Sequence, residues 1–164
     1  MHKCFLLLGS NLGKRIKILE SALEAINAGI GKVVQKSPFC KSAPWGFESA
    51  DSFVNIVARV NTQKNPEEVL VAIHEIEAGL GRIREGGGGY QSRTIDIDIL
   101  FFDDEIIDRK NLTIPHPRLH LRRFTLQPLA EIAPDFIHPV LGKSIVELLD
   151  SCGDNSVVQL KPNF

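Results

Sequence analysis

Cysteine is scarce in this chain of 164 residues, and what there is makes no pattern. Cys4, Cys40 and Cys152 show no paired metal-ligand spacing, which excludes a cysteine-based zinc site and a disulfide framework. With no export signal, they point to a reducing compartment, and the cytoplasm is the expected location. Long apolar runs are missing too. The N-terminal Cys4-Phe5-Leu6-Leu7-Leu8 ends at Gly9, too short for a signal peptide or a membrane span. Charge of one sign is not in excess. The formal net charge of -1 removes a broad electrostatic case for nucleic acid. Also missing are G-x-x-x-x-G-K-[ST], a G-x-G-x-x-G turn after a strand, and any internal repeat or linker. What remains is 43% hydrophobic, enough for the core of one domain, expected to span 1–164.

The apolar spacing orders the elements. Cys4–Leu8 reads as a buried strand ended by the turn Gly9-Ser10-Asn11-Leu12-Gly13. Leu12, Ile16, Leu19, Leu23 and Ile26 share one helix face, stopped by Gly29 and Gly31. Val33–Cys40 reads as one strand, with Pro38 marking an edge or a bulge. Phe53–Val60 alternates between an apolar face (Val54, Ile56, Ala58, Val60) and a mixed one (Phe53, Asn55, Val57, Arg59). Asn65-Pro66-Glu67-Glu68 opens a second helix as a capping box, and Val69, Ile73, Ile76 and Leu80 give its buried face. A glycine-rich loop containing Gly86–Gly89 follows, costly to order and expected to be mobile without ligand. The Arg93–Phe102 strand, a turn at Asp103-Asp104, a short Ile106-Ile107 segment, a helix over Phe124–Ala133, a short helix over Ser144–Leu149 and a terminal strand at Val157–Leu160 complete the chain. Strand-helix-strand-strand-helix-strand over residues 4 to 102 predicts an α+β, ferredoxin-like βαββαβ core. Its sheet is mainly antiparallel, with two helices on one face and additional C-terminal elements.

The chemistry concentrates in Arg93-Thr94-Ile95-Asp96-Ile97-Asp98-Ile99-Leu100-Phe101-Phe102. In a strand, Asp96 and Asp98 share one face, roughly 6 to 7 Å apart, while Ile95, Ile97 and Ile99 take the other. An edge strand with a wet face would also carry two aspartates. The apolar flanks favour instead a carboxylate pair for one or two Mg²⁺ ions, which prefer oxygen ligands and are often shared with phosphates. Arg82, Arg84 and Arg93 around the glycine run suit a polyanion, since guanidinium forks match phosphate oxygens. His116, fixed between Pro115 and Pro117 near Arg122 and Arg123, could donate to a phosphate, although a lone histidine is more often a surface or core residue. Asn55 offers paired donors and acceptors for a planar ring, and Phe53, Trp45, Phe47 and Phe124 offer core packing or a stacking surface. His74, His120 and His138 have no companions at ligand spacing and are given no role.

Together these stretches resemble the 6-hydroxymethyl-7,8-dihydropterin pyrophosphokinases, a folate-biosynthesis family. The likeness runs through Gly9–Gly13, Pro44-Trp45-Gly46, Phe53-Val54-Asn55, Gly81-Arg82-Ile83-Arg84, the Arg93–Phe101 strand, Pro115-His116-Pro117-Arg118 and Arg122-Arg123-Phe124. It implies transfer of the pyrophosphoryl group of ATP to the pterin hydroxymethyl oxygen, with two Mg²⁺ ions and AMP as the other product. By that resemblance Asp96 and Asp98 match the metal ligands, and Arg82 and Arg93 stabilise charge on the transferring phosphate. Ser42, Ala43, Pro44, Trp45, Gly46, Phe53, Asn55 and Phe124 match the pterin site. Leu70, Glu77, Arg82, Arg84, Arg93, Ile99, Lys110, Thr113, His116 and Arg122 match the ATP side. The expected partners are the pterin and ATP only, without nucleic acid or membrane, on a monomer. Gly86–Gly89 depart from bulkier residues in the family's mobile loop, with Tyr90 as a candidate aromatic plug, and Phe53 lacks a tyrosine hydroxyl. Two other readings compete: a different metal-dependent nucleotidyl or phosphoryl transferase on the same fold, and a ferredoxin-like RNA binder. The second needs a basic sheet face, where this one carries two aspartates.

Overall fold

Strand β1 (His2–Ser10) lies inside the sheet, because it is apolar on both faces and pairs on both edges. The structure, a computed structural model, describes residues 1–11, 14–42, 52–81 and 95–161. Helix α1 (Arg15–Gly29) follows, burying Leu19, Ala22, Leu23 and Ile26 at the predicted spacing. The expected single strand over Val33–Cys40 is two: β2 (Lys32–Lys36) and β3 (Cys40–Ser42). Pro38 has no N–H to give the ladder, so the chain leaves it at Ser37. Ser37 completes the gap by bonding Val57 twice, donating its N–H to the Val57 carbonyl and accepting the Val57 N–H on its hydroxyl. Both pieces then pair with β4 (Phe53–Thr62).

Helix α2 (Pro66–Gly81) starts with the capping box read from sequence. Asn65 Oδ1 accepts the Glu68 N–H at 2.9 Å, and Glu68 Oε1 accepts the Asn65 N–H at 3.0 Å. Strand β5 (Asp96–Phe102) closes the far edge beside β1. The sheet order β5-β1-β4-β3, with β2 also on β4, is the antiparallel split βαβ arrangement. Beyond β5, a turn at Asp103 (φ 49°) is held by its carboxylate, which accepts from Lys3 N–H and contacts His2 Nδ1. A hairpin of β6 (Ile107–Arg109) and β7 (Leu112–Ile114) follows, of which sequence patterning showed only Ile106-Ile107.

The sheet is covered on both faces. Leu6, Leu8, Ile56, Ala58, Ile97 and Ile99 pack under α1 and α2. Phe5, Leu7, Val57, Leu100 and Phe101 pack under α3 (Arg123–Ile132) and α4 (Ile145–Asp150). A register shift opposite Phe5/Leu6 inserts an extra residue into β5, so that Leu100 and Phe101 both reach this second core. Strand β8 (Val158–Leu160) joins β3, a pairing that sequence patterning left open.

Candidate active site

The second face of the sheet changes character along β1. Leu7, opposite Asp98 and Val57, is buried under the α3–α4 layer. Gly9 lies opposite Asp96 on one side and Asn55 on the other. Directly opposed residues in antiparallel strands point to the same face. Asp96, Gly9 and Asn55 therefore form one row, and Asp98 sits one row deeper. Asp96 is exposed, Asp98 half-buried, and Asn55 only 4% exposed. The expected common face of the two carboxylates is present, with Ile95, Ile97 and Ile99 in the opposite core.

Gly9 is required where it is. A Cβ there would lie 2.6 Å from Asn55 Oδ1, well inside contact distance. The absence of a side chain leaves the Asn55 carboxamide its place, with Nδ2 donating a long hydrogen bond of 3.5 Å to the buried Ser42 hydroxyl. Phe53, opposite Ser42, continues this side of the site.

On the other side of the aspartates is a cleft of about 380 Å³. Asp96, Asp98 and Ile99 from β5, Leu70 and Glu77 from α2, Lys110 and Thr113 from the hairpin, and His116 all line it. The cleft thus gathers residues scattered over almost fifty positions, because β7 packs against β5 and α2 packs behind it. Glu77 is 7% exposed, and its Oε2 accepts the Ile97 N–H at 3.1 Å. That amide lies on the free edge of β5, so Glu77 holds the strand between the two aspartates. Sequence reasoning missed His74 and Asn111, which also line the cleft. His74 was findable, since Leu70, His74 and Glu77 recur at helical spacing on one face.

His116 follows a cis Ile114–Pro115 peptide, and its N–H donates to the Leu100 carbonyl at 3.0 Å. Burial pushes its imidazole down to about 4 from 6.5, with Arg122 and Arg118 adding repulsion. Nδ1 accepts the Arg118 N–H at 3.2 Å, so the ring proton of this neutral histidine sits on Nε2. The unfolded chain binds the proton more tightly, so stability contributed by neutral His116 is present above about pH 6.5 and lost toward pH 4. Urea unfolding at pH 7 and pH 5 should show a larger loss for wild type than for His116→Gln, which has nothing to protonate. Burial also lowers Arg122, while Asp98 favours its charge and Arg118 opposes it. Its guanidinium carbon lies 5.5 Å over the centre of the Phe124 ring, within cation–π range. Arg122 therefore links the carboxylates electrostatically to the aromatic at the start of α3.

Ala43, Pro44, Trp45 and Gly46, the arginines Arg82, Arg84 and Arg93, and the loop with Gly86–Gly89 and Tyr90 lie outside the described residues. The cysteines supply no nucleophile: Cys4, Cys40 and Cys152 are free and buried, and burial pushes the Cys40 thiol up to about 12. Among the described residues no group of three or more His, Cys, Asp or Glu side chains is placed to hold a metal ion. No helix among them is long and apolar enough to cross a membrane.

A ferredoxin-like sheet with a carboxylate pair beside a polar cleft defines a class, and comparison with known proteins places the chain within it. Residues 5–134 match the model of the 7,8-dihydro-6-hydroxymethylpterin-pyrophosphokinase (HPPK) family. A 2-amino-4-hydroxy-6-hydroxymethyldihydropteridine pyrophosphokinase from Haemophilus influenzae is 37% identical over 99% of this chain and 100% of its own length. The folic acid synthesis protein fol1 of Pneumocystis carinii is 38% identical over 96% of this chain, which spans only 21% of that longer protein. A crystal structure of Plasmodium falciparum HPPK-DHPS shares the fold, with a TM-score of 0.74 and 21% identity over 92% of this chain and 43% of that one. The chain belongs to the HPPK family.

Proposed function

We propose that this chain moves the pyrophosphoryl group of ATP to the hydroxymethyl oxygen of 6-hydroxymethyl-7,8-dihydropterin, giving AMP and the pterin diphosphate for folate synthesis. One observation beyond family membership carries the reading. The row Asp96–Gly9–Asn55 puts a phosphate-handling pair and a ring-reading carboxamide on one face, with nothing but a glycine between them.

The donor set fits Mg²⁺. Two carboxylates with no third His, Cys, Asp or Glu grouped with them among the described residues suit an ion that takes its remaining ligands from phosphate oxygens and water. Asp96 and Asp98 would hold two such ions, and bound Mg²⁺ supplies charge neutralisation on the phosphates and a lowered pKa for the acceptor hydroxyl. Everything else falls to the chain's own groups, because phosphoryl transfer depends on positioning and electrostatics more than on covalent chemistry. Leu70, Ile99, Lys110 and Thr113 take the adenosine end of the cleft. His116 donates from Nε2 to a phosphate oxygen without adding charge, and Arg122 supplies a fixed cation beside Asp98. Glu77 positions β5 through Ile97. Arg82, Arg84 and Arg93 are assigned to the triphosphate from the sequence motif, with Arg82 and Arg93 meeting the charge that develops as the α–β bond breaks. Asn55 reads the pterin edge together with the backbone of Ser42, Ala43, Pro44, Trp45 and Gly46, while Phe53 and Phe124 stack on the ring. We place this activity on one domain, acting as a monomer in the cytoplasm.

Incubation with ATP, Mg²⁺ and 6-hydroxymethyl-7,8-dihydropterin should release AMP in equal amount to pterin diphosphate, and none without the pterin. Release of ADP, or AMP release independent of the pterin, would show a different transferase.

A further inference from the structure

Helix α3 begins with a cap that its own sequence cannot make. Its N-cap residue is Arg122, whose side chain carries donors only and makes no capping hydrogen bond. The missing acceptor comes from the C-terminal segment. Asp154 Oδ2 accepts the Arg123 N–H at 3.0 Å, and the Asp154 backbone carbonyl accepts from Arg123 Nε at 2.7 Å. The other carboxylate oxygen is held by Ser156, through its N–H at 3.0 Å and its hydroxyl at 2.6 Å. A carboxylate at a helix N-terminus also meets the positive end of the helix dipole. Arg123 lies between Arg122 and Phe124, the two residues whose side chains meet in the site. Four residues on, the same segment pairs with β3, setting Val158 opposite Ser42, whose hydroxyl receives the Asn55 carboxamide.

We propose that residues 154–160 are a clamp for the pterin pocket, with Asp154 as a positioning residue that sets Phe124 while β8 sets Ser42. This rests on the pterin reading above. The clamp lies beyond the stretch that matches the family model, so the acceptor side of the site depends on a part of the chain that the motifs do not include. The metal and nucleotide groups on β5, α2 and the β6–β7 hairpin make no contact with it among the hydrogen bonds described.

Steady-state kinetics of Asp154→Ala and Asp154→Asn test this, with urea unfolding as a check on folding. Asp154→Ala should raise the pterin KM about tenfold, the affinity equivalent of one charge-assisted hydrogen bond, while the ATP KM, touched only through the neighbouring Arg122, rises by no more than about threefold and kcat stays within about twofold. Asp154→Asn keeps one acceptor oxygen and should fall between it and wild type. It carries the test if the alanine variant does not fold. An active wild type whose two variants leave the pterin KM unchanged, or raise both KM values in parallel, overturns the clamp alone. A wild type without pterin-dependent AMP release overturns the reading of the site and the clamp with it.

Discussion

Asp98→Ala should lower turnover by on the order of a thousandfold while leaving the pterin KM within a few-fold of wild type. Preorganised charge around a transferring phosphoryl group contributes about this much in comparable systems. Asp98 sits on β5 one row deeper than Asp96, opposite buried Leu7 and within the field of Arg122. Asp96, the other carboxylate on that face, lies one row nearer solvent. The proposed pterin contacts lie across β1, on β4, β3 and α3, away from the carboxylate. Steady-state kinetics with each substrate varied in turn separates the two effects. A parallel collapse of pterin affinity would mean that Asp98 is structural.

Gly9→Ala should have the next largest effect, and it should fall on the opposite substrate. The new methyl would sit 2.6 Å from Asn55 Oδ1. That atom ends a side chain, so the carboxamide can rotate away and the fold survives with a loss of about 1 kcal/mol or less. The rotated carboxamide no longer meets the ring, and leaving polar atoms of a bound heterocycle unpaired costs about tenfold to a hundredfold in affinity. The expected result is a normal urea midpoint with a pterin KM raised by that factor and a nearly normal ATP KM. Unchanged pterin affinity would mean that Asn55 does not read the ring.

Much of this was legible in the chain itself, for physical reasons that differ by element. The Asp96/Asp98 strand was readable because alternation is local: two residues on, the same face returns. The Asn65–Glu68 box was readable because both of its hydrogen bonds close within four residues. Pro38 marked trouble in its strand, but whether the chain would bulge or split depended on Ser37 finding Val57, twenty positions away. The hairpin of β6 and β7 was too short to show a period, and the cleft exists only once it folds against β5. Gly9 read as part of a turn, whereas its meaning comes from its two neighbours across the sheet, Asp96 and Asn55. The C-terminal segment carried no motif at all. Its importance to α3 lies in an acceptor that Arg122 lacks, a relation across thirty-one positions.

If β5 is where metal, nucleotide and acceptor meet, metal binding should depend on its two carboxylates. Mn²⁺ can stand in for Mg²⁺, and its electron paramagnetic resonance reports free ion. Titration of Mn²⁺ with a non-hydrolysable ATP analogue into wild type should show two ions bound per ternary complex, more than the analogue alone holds. The Asp96→Asn, Asp98→Asn double variant, with its urea midpoint retained, should show no more than the analogue alone. Equal binding by the two proteins would mean that Asp96 and Asp98 do not hold the ions.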